Sequence, residues 1–116
     1  MNIVSSIFAL LTATLTVKAY PDVVPESAEL PAVSFVNIAN PKGRAMDGVS
    51  QGRSSHWRVT VVANDFTGLG SIIESLEDLD NTSQHGFANI YSELVLIEPK
   101  DERALYHRAF IDLTLY

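Results

Sequence analysis

Apolar side chains recur at two spacings along this chain, and the two spacings separate predicted helices from predicted strands. Near the N-terminus they fall three or four residues apart, which predicts an amphipathic helix. Its apolar face is formed by Ile3, Ile7, Leu10, Leu11 and Leu15. The helix is expected to end near Lys18, because Pro21 prevents any continuation. A second helix is predicted after Asn64-Asp65, which can cap it. Its apolar stripe consists of Leu69, Ile72, Ile73, Leu76 and Leu79.

Alternating apolar and polar residues predict four strands. They are expected at residues 32–39, 55–63, 88–97 and 104–116, with an extended proline-containing connector at 20–31 and a polar loop at 80–86. The predicted order is α-β-β-α-β-β. We therefore expect a single α+β domain spanning residues 1–116, a four-stranded antiparallel sheet with both helices packed on one face.

Composition narrows the classes of protein to which the chain can belong. Its 116 residues fit one domain, and the absence of cysteine excludes disulfides and thiolate metal sites. The formal net charge of −6 argues against nonspecific nucleic-acid binding by the whole surface. Residues 1–19 carry no charge before Lys18, whereas a secretion signal normally begins with positive charge. We interpret them as a helix, with a signal peptide as the alternative.

The motifs of familiar catalytic centres do not occur in the sequence. There is no Gly-x-Ser-x-Gly elbow, and the glycine-rich stretch 43–52 leads into a strand, whereas a phosphate-binding loop leads into a helix. His56 and His107 lie on predicted strands that could be neighbours, but we interpret both as surface or half-buried residues. The acidic run on the second helix and just beyond it is expected to be solvated. We predict a protein that is not an enzyme and has no cofactor or metal.

Two regions are candidates for contacts with other proteins. The loop 41–53 contains Lys42, Arg44 and Arg53, a basic character unlike the rest of the chain. The last strand carries Tyr106, Phe110 and Tyr116 on the side opposite its aliphatic face. A sheet with helices on one side needs only one apolar face, so these aromatic residues indicate a second buried surface, such as a subunit contact.

Several segments resemble the tail-terminator and tail-completion proteins of long-tailed bacteriophages. The N-terminal helix is followed by Tyr20-Pro21, Val24-Pro25-Glu26 and Leu30-Pro31-Ala32-Val33. The runs from Trp57 to Asn64 and from Arg108 to Leu115 are similar to that family's strand before its second helix and to its closing strand. The resemblance covers nearly the whole chain in element order, and it brings no catalytic residue with it.

The resemblance implies a virion protein of the tail or neck region, assembled in the host cytoplasm. It would form a ring of six copies that caps the tail tube, ends tube polymerisation and offers a surface for head–tail joining. The implied partners are further copies of the chain, the tail tube protein and a head-completion or connector protein, with no membrane and no specific nucleic acid. The alternative function is a small module that binds nucleic acid or protein through the basic loop 41–53.

Overall fold

The computed structural model of the chain describes residues 3–15, 17–25, 29–39, 42–44, 50–53, 55–84, 87–98 and 106–116. The elements in chain order are α1 (Ile3–Thr14), β1 (Lys18–Pro21), β2 (Ala32–Ala39), β3 (Lys42–Arg44), β4 (Ser50–Arg53), β5 (Ser55–Ala63), α2 (Phe66–Glu77), β6 (Thr82–Gln84), β7 (Phe87–Glu98) and β8 (His107–Leu115). None of the described helices has the length and apolarity needed to cross a membrane.

The main sheet has six strands in the order β1-β2-β5-β8-β7-β6, and it is mixed. β1 runs parallel to β2, and every other neighbouring pair is antiparallel. β3 and β4, which lie between β2 and β5 in the sequence, form a separate two-stranded ribbon. The predicted four-stranded antiparallel sheet in the order α-β-β-α-β-β is therefore wrong.

The error has a physical cause at two short strands, β1 and β6. α1 ends at Thr14, and Lys18, the expected last turn of the helix, begins β1 instead. β1 and β6 have four and three residues, too few for alternation to be recognisable, and β1 ends in a proline. Pairing with β2 and β7 makes these segments strands, because tertiary contacts override weak local preference.

Both helices contribute to one hydrophobic core on one side of the main sheet. From the helices, the fully buried side chains include Leu10, Leu11, Leu69 and Leu76. They meet the alternate residues of the central strands that point to the same side, namely Val33, Val59, Val61, Ala109, Ile111 and Leu113. We call this side the helix face. The opposite side, which bears Ser34, Thr60 and Phe110, is called the outer face.

The strand register arranges the sheet in level rows. Tyr20, Ser34, Thr60, Phe110 and Leu96 are successive cross-strand partners on β1, β2, β5, β8 and β7. Four such through rows cross the sheet without interruption. They begin at Lys18, Ala19, Tyr20 and Pro21 and end respectively at Glu98, Ile97, Leu96 and Leu94. A bulge at Val95 lets both Leu94 and Leu96 keep level partners.

Candidate interaction surfaces

A groove crosses the outer face where the connector after β1 passes over the sheet. Its floor consists of side chains from β2, β5 and β8, including Ser34, Thr60 and Phe110, and its wall includes Val23 and Leu30 of the connector. The groove has a volume of about 710 Å³. The groove is lined by both apolar and polar side chains, and the chain's own connector partly covers the outer face near Phe110.

The three aromatic residues that the sequence indicates for a subunit contact lie at two separate places on the outer face. Tyr106 and Phe110 both line the groove. Tyr116 lies beyond the other end of β8, where its ring packs edge-on against Tyr91 at a centroid distance of 5.6 Å. Six residues of extended strand separate Phe110 from Tyr116, about 20 Å. The aromatic side of the last strand is thus divided between a groove and an exposed tyrosine pair.

Two ion pairs bridge strands on the outer face. Arg58 of β5 donates to both carboxylate oxygens of Asp112 on β8, at 2.8 and 3.2 Å. Arg108 of β8 donates to Oε1 of Glu98 on β7 at 2.7 Å. These hydrogen bonds raise the pKa of Arg58 and of Arg108 above the usual value for arginine, so both stay charged. The two pairs link neighbouring strands of the sheet across β5–β8 and β8–β7.

The predicted basic loop contains the β3–β4 ribbon. Lys42 and Arg53 are opposite each other in its register, and Arg44 pairs with Ser50 after a bulge. The rest of the loop, residues 41, 45–49 and 54, lies outside the described residues, as do the side chains on the ribbon. The backbone therefore brings two of the three predicted cations to one end of a ribbon.

His56 and His107, the two histidines on predicted strands, do not come together. His56 pairs with Thr114 and His107 pairs with Ala63, at opposite ends of the β5–β8 pair. Seven residues of strand separate the two positions, about 24 Å. His107 instead makes an edge contact with Phe66. Among the residues that the structure describes, no group of three or more His, Asp or Glu could hold a metal ion.

At both edges of the main sheet, the outermost strand covers only part of its neighbour. The sequence did not predict this feature. β1 covers only the first four residues of β2, as far as Phe35. β6 pairs with β7 only as far as Ile90, and the Ser92 N–H donates to the Asp80 carboxylate at 2.9 Å. Beyond Ser92, no described strand pairs with the outer edge of β7. We call the stretch 94–97 the open edge.

The open edge is apolar on both faces. Leu94, Val95, Leu96 and Ile97 are between 37% and 49% exposed, and none is charged. Native proteins normally protect an edge with charge, proline or a very short strand. The sequence signal was present, since four consecutive apolar residues interrupt the alternation of the strand. The open edge is therefore a candidate contact surface.

Comparison with known proteins gives a similarity among solved structures. No protein-family profile matches the sequence, and no curated protein matches it. Among solved structures, the chain is similar to one described as the virion of a native gene transfer agent particle. The TM-score is 0.59 at 14% sequence identity, and the match covers 94% of this chain and 82% of the other. At that identity the similarity establishes a shared fold over the matched part of the two chains, and nothing further.

Proposed function

We propose that this chain is a structural protein of a phage-like virion, and that within the virion it acts as the tail terminator. Six copies form a ring on the end of the tail tube, stop further addition of tube subunits and present the surface that joins the head. The similarity to a virion chain over 94% of this sequence is the observation that carries the proposal.

The surface chemistry supports an assembly role. A closed ring needs a heterologous interface, in which two different patches of each copy meet. The sheet supplies two different edges at its ends, with an apolar open edge next to β6 and a short strand, β1, at the other side.

The decisive experiment combines the full-length chain with tail tubes purified from the virion whose genome encodes it. Electron microscopy is expected to show rings of six copies seated on one end of each tube. Inactivating the gene is expected to give tubes of uncontrolled length. A chain that stays monomeric and leaves tube ends bare at micromolar concentration contradicts the proposal.

A second candidate function is binding of an acidic partner, such as nucleic acid, through the β3–β4 ribbon. The pairing of Lys42 with Arg53 favours it. Retention on DNA that weakens with added salt and with Arg44→Ala would support this function, because phosphate contacts release counterions. Retention that is unchanged by Arg44→Ala would exclude the ribbon as the binding element.

A further inference from the structure

We propose that copies of this chain join edge to edge, with β1 of one copy pairing antiparallel to the open edge 94–97 of β7 in the next, so that their main sheets become continuous. The inference rests on the proposed function in taking the partner to be a second copy of the chain. It names the surfaces of the ring and the register between them.

The shapes of the two edges are complementary. The open edge of β7 lies at the end of the sheet that also carries β1, because the through rows connect Lys18 with Glu98 and Pro21 with Leu94. At one side of the sheet β1 covers β2 over four rows, and at the other side no described strand covers β7 over the same four rows. A neighbouring β1 therefore fills the vacant position beside β7 and continues the line of β6.

The strand directions also agree. β1 is parallel to β2, and three antiparallel pairings then lead through β5 and β8 to β7. β1 and β7 of one copy consequently run in opposite directions. When a second copy is set beside the first in the same orientation, its β1 meets β7 as an antiparallel strand, the pairing with straight hydrogen bonds.

The main-chain hydrogen-bonding groups of β1 and β7 match when each through row of one copy continues into the next copy. We call this pairing the level register. Ser92 directs its N–H away from β8, towards Asp80. Ser92 pairs with Leu113, and Ile97 pairs with Ala109. Leu113 and Ala109 are four residues apart on β8, so their main-chain groups point to the same side of that strand. Ile97 therefore directs its main-chain groups outward, as Ser92 does. On β1, the Asp22 N–H donates inward to Phe35, which leaves Ala19 directed away from β2 by alternation. Ala19 and Ile97 can then exchange two main-chain hydrogen bonds.

The side chains match on both faces when each through row continues into the next copy. Ala19 meets Ile97 on the helix face, and Tyr20 meets Leu96 on the outer face. The pairing ends at Pro21, which has no N–H and whose carbonyl already accepts from Val23 at 2.9 Å.

Charge selects this pairing over a contact between two β7 strands. In the level register, exposed Lys18 lies beside Glu98, whose buried Oε2 has no hydrogen-bond partner within the described chain. Two antiparallel β7 edges would instead bring Glu93 of each copy towards Glu98 of the other, and like charges opposite each other are unfavourable. Level rows also add no rise along the strands from copy to copy, which a closed ring requires and a filament does not.

Paired cysteine substitutions test the register directly, because the natural chain contains no cysteine. Tyr20→Cys combined with Leu96→Cys places both thiols on one continued row, within the Cα separation that a disulfide allows. Inside a single copy these positions lie four strand spacings apart, about 19 Å, so a disulfide can form only between copies. Ala19→Cys with Ile97→Cys is the second pair, in case the first variant folds poorly.

Mild oxidation of the full-length double variants is expected to give a ladder of covalent multimers that reductant reverses. The matched control, Tyr20→Cys with Tyr91→Cys, uses a position on the same face of β7 beside β6, and it should remain monomeric on a denaturing gel. The inference is overturned if neither test pair gives more product than the control, or if Leu96→Cys alone gives a covalent dimer.

The outcomes separate this inference from the proposed function. Rings on tube ends without disulfide ladders would leave the terminator function standing and refute the β1–β7 pairing. Ladders that close into rings but never seat on tubes would support the pairing and refute the terminator function.

Discussion

At the start of α2, Gly68 and Gly70 differ in what an added methyl group would contact. Asp65 is the N-cap, and its side chain accepts a hydrogen bond from the Gly68 N–H. A Cβ added at Gly68 would lie 2.9 Å from Asp65 Oδ1, whereas one added at Gly70 would meet nothing within 4 Å. The two positions share a helix but differ in the contact that a methyl group would make.

We expect Gly70→Ala to raise the free energy of unfolding by about 0.5–1 kcal/mol, because alanine loses less backbone entropy than glycine in a helix. Gly68→Ala is expected to give no gain, since its methyl group presses on the cap. Urea denaturation followed by circular dichroism measures both. Equal stabilisation by the two substitutions would show that the Asp65 contact does not limit the helix.

On the outer face, Arg58 pairs with one of two carboxylates that are cross-strand partners of each other. Asp112 is its partner at 2.8 Å, and Glu93 is the partner of Asp112 on the next strand. Both side chains of the ion pair are partly exposed, at 41% and 31%. Solvent therefore screens the attraction, and its contribution to stability is modest.

Arg58→Leu is expected to lower the free energy of unfolding by about 0.5–1 kcal/mol at low salt, because Asp112 then faces Glu93 without a cation. Adding Glu93→Gln to this variant should recover part of the loss, and high salt should shrink it. Urea denaturation of the single and double variants at two salt concentrations tests the idea. A loss that neither salt nor Glu93→Gln reduces would mean that Arg58 acts through packing.

Among the elements, the predictions were accurate where a segment buries a regular pattern. The residue pattern of β2 and β5 gave their bounds directly, and α2 lies where its apolar stripe predicts it. β1, β3, β4 and β6 were missed because each has only three or four residues and gains its strand conformation from a partner. The open edge 94–97 was harder to predict, because whether a strand edge is open depends on which other strands pair with it.

The exposed bulge residue of β7 allows the open edge to be blocked without disturbing the sheet. Val95 is 47% exposed and has no level partner on β8. We expect Val95→Lys to abolish assembly of the chain, because a charge on an edge strand prevents pairing. The free energy of unfolding should change by no more than about 0.5 kcal/mol, as for most surface substitutions.

Val23→Lys is the matched control, since Val23 is 71% exposed but lies in the connector after β1. Light scattering should find assemblies with the control and monomers with Val95→Lys. If both variants assemble as the natural sequence does, the open edge is not an interface between copies.

For the whole molecule, the acidic balance opposes the association that the open edge favours. Each copy has a formal net charge of −6, and the exposed side of α2 contributes Glu74 and Glu77 to it. In the proposed ring, copies would therefore repel one another over distances comparable to the Debye length, while the proposed apolar and main-chain contacts between edges would not weaken with salt. The balance of these two terms should set the conditions under which rings form.

We expect ring formation to increase as the salt concentration rises from about 0.01 M to about 1 M, because the Debye length falls from about 30 Å to about 3 Å over that range. Glu74→Gln with Glu77→Gln should favour rings at low salt, and Lys18→Gln should disfavour them, since it removes the cation beside Glu98. Light scattering across the salt series measures all three proteins.

Nucleic-acid binding through the β3–β4 ribbon has the opposite salt dependence, because phosphate contacts weaken as salt rises. Rings that dissociate with salt would mean that ion pairs, and not the apolar edge, hold the copies together.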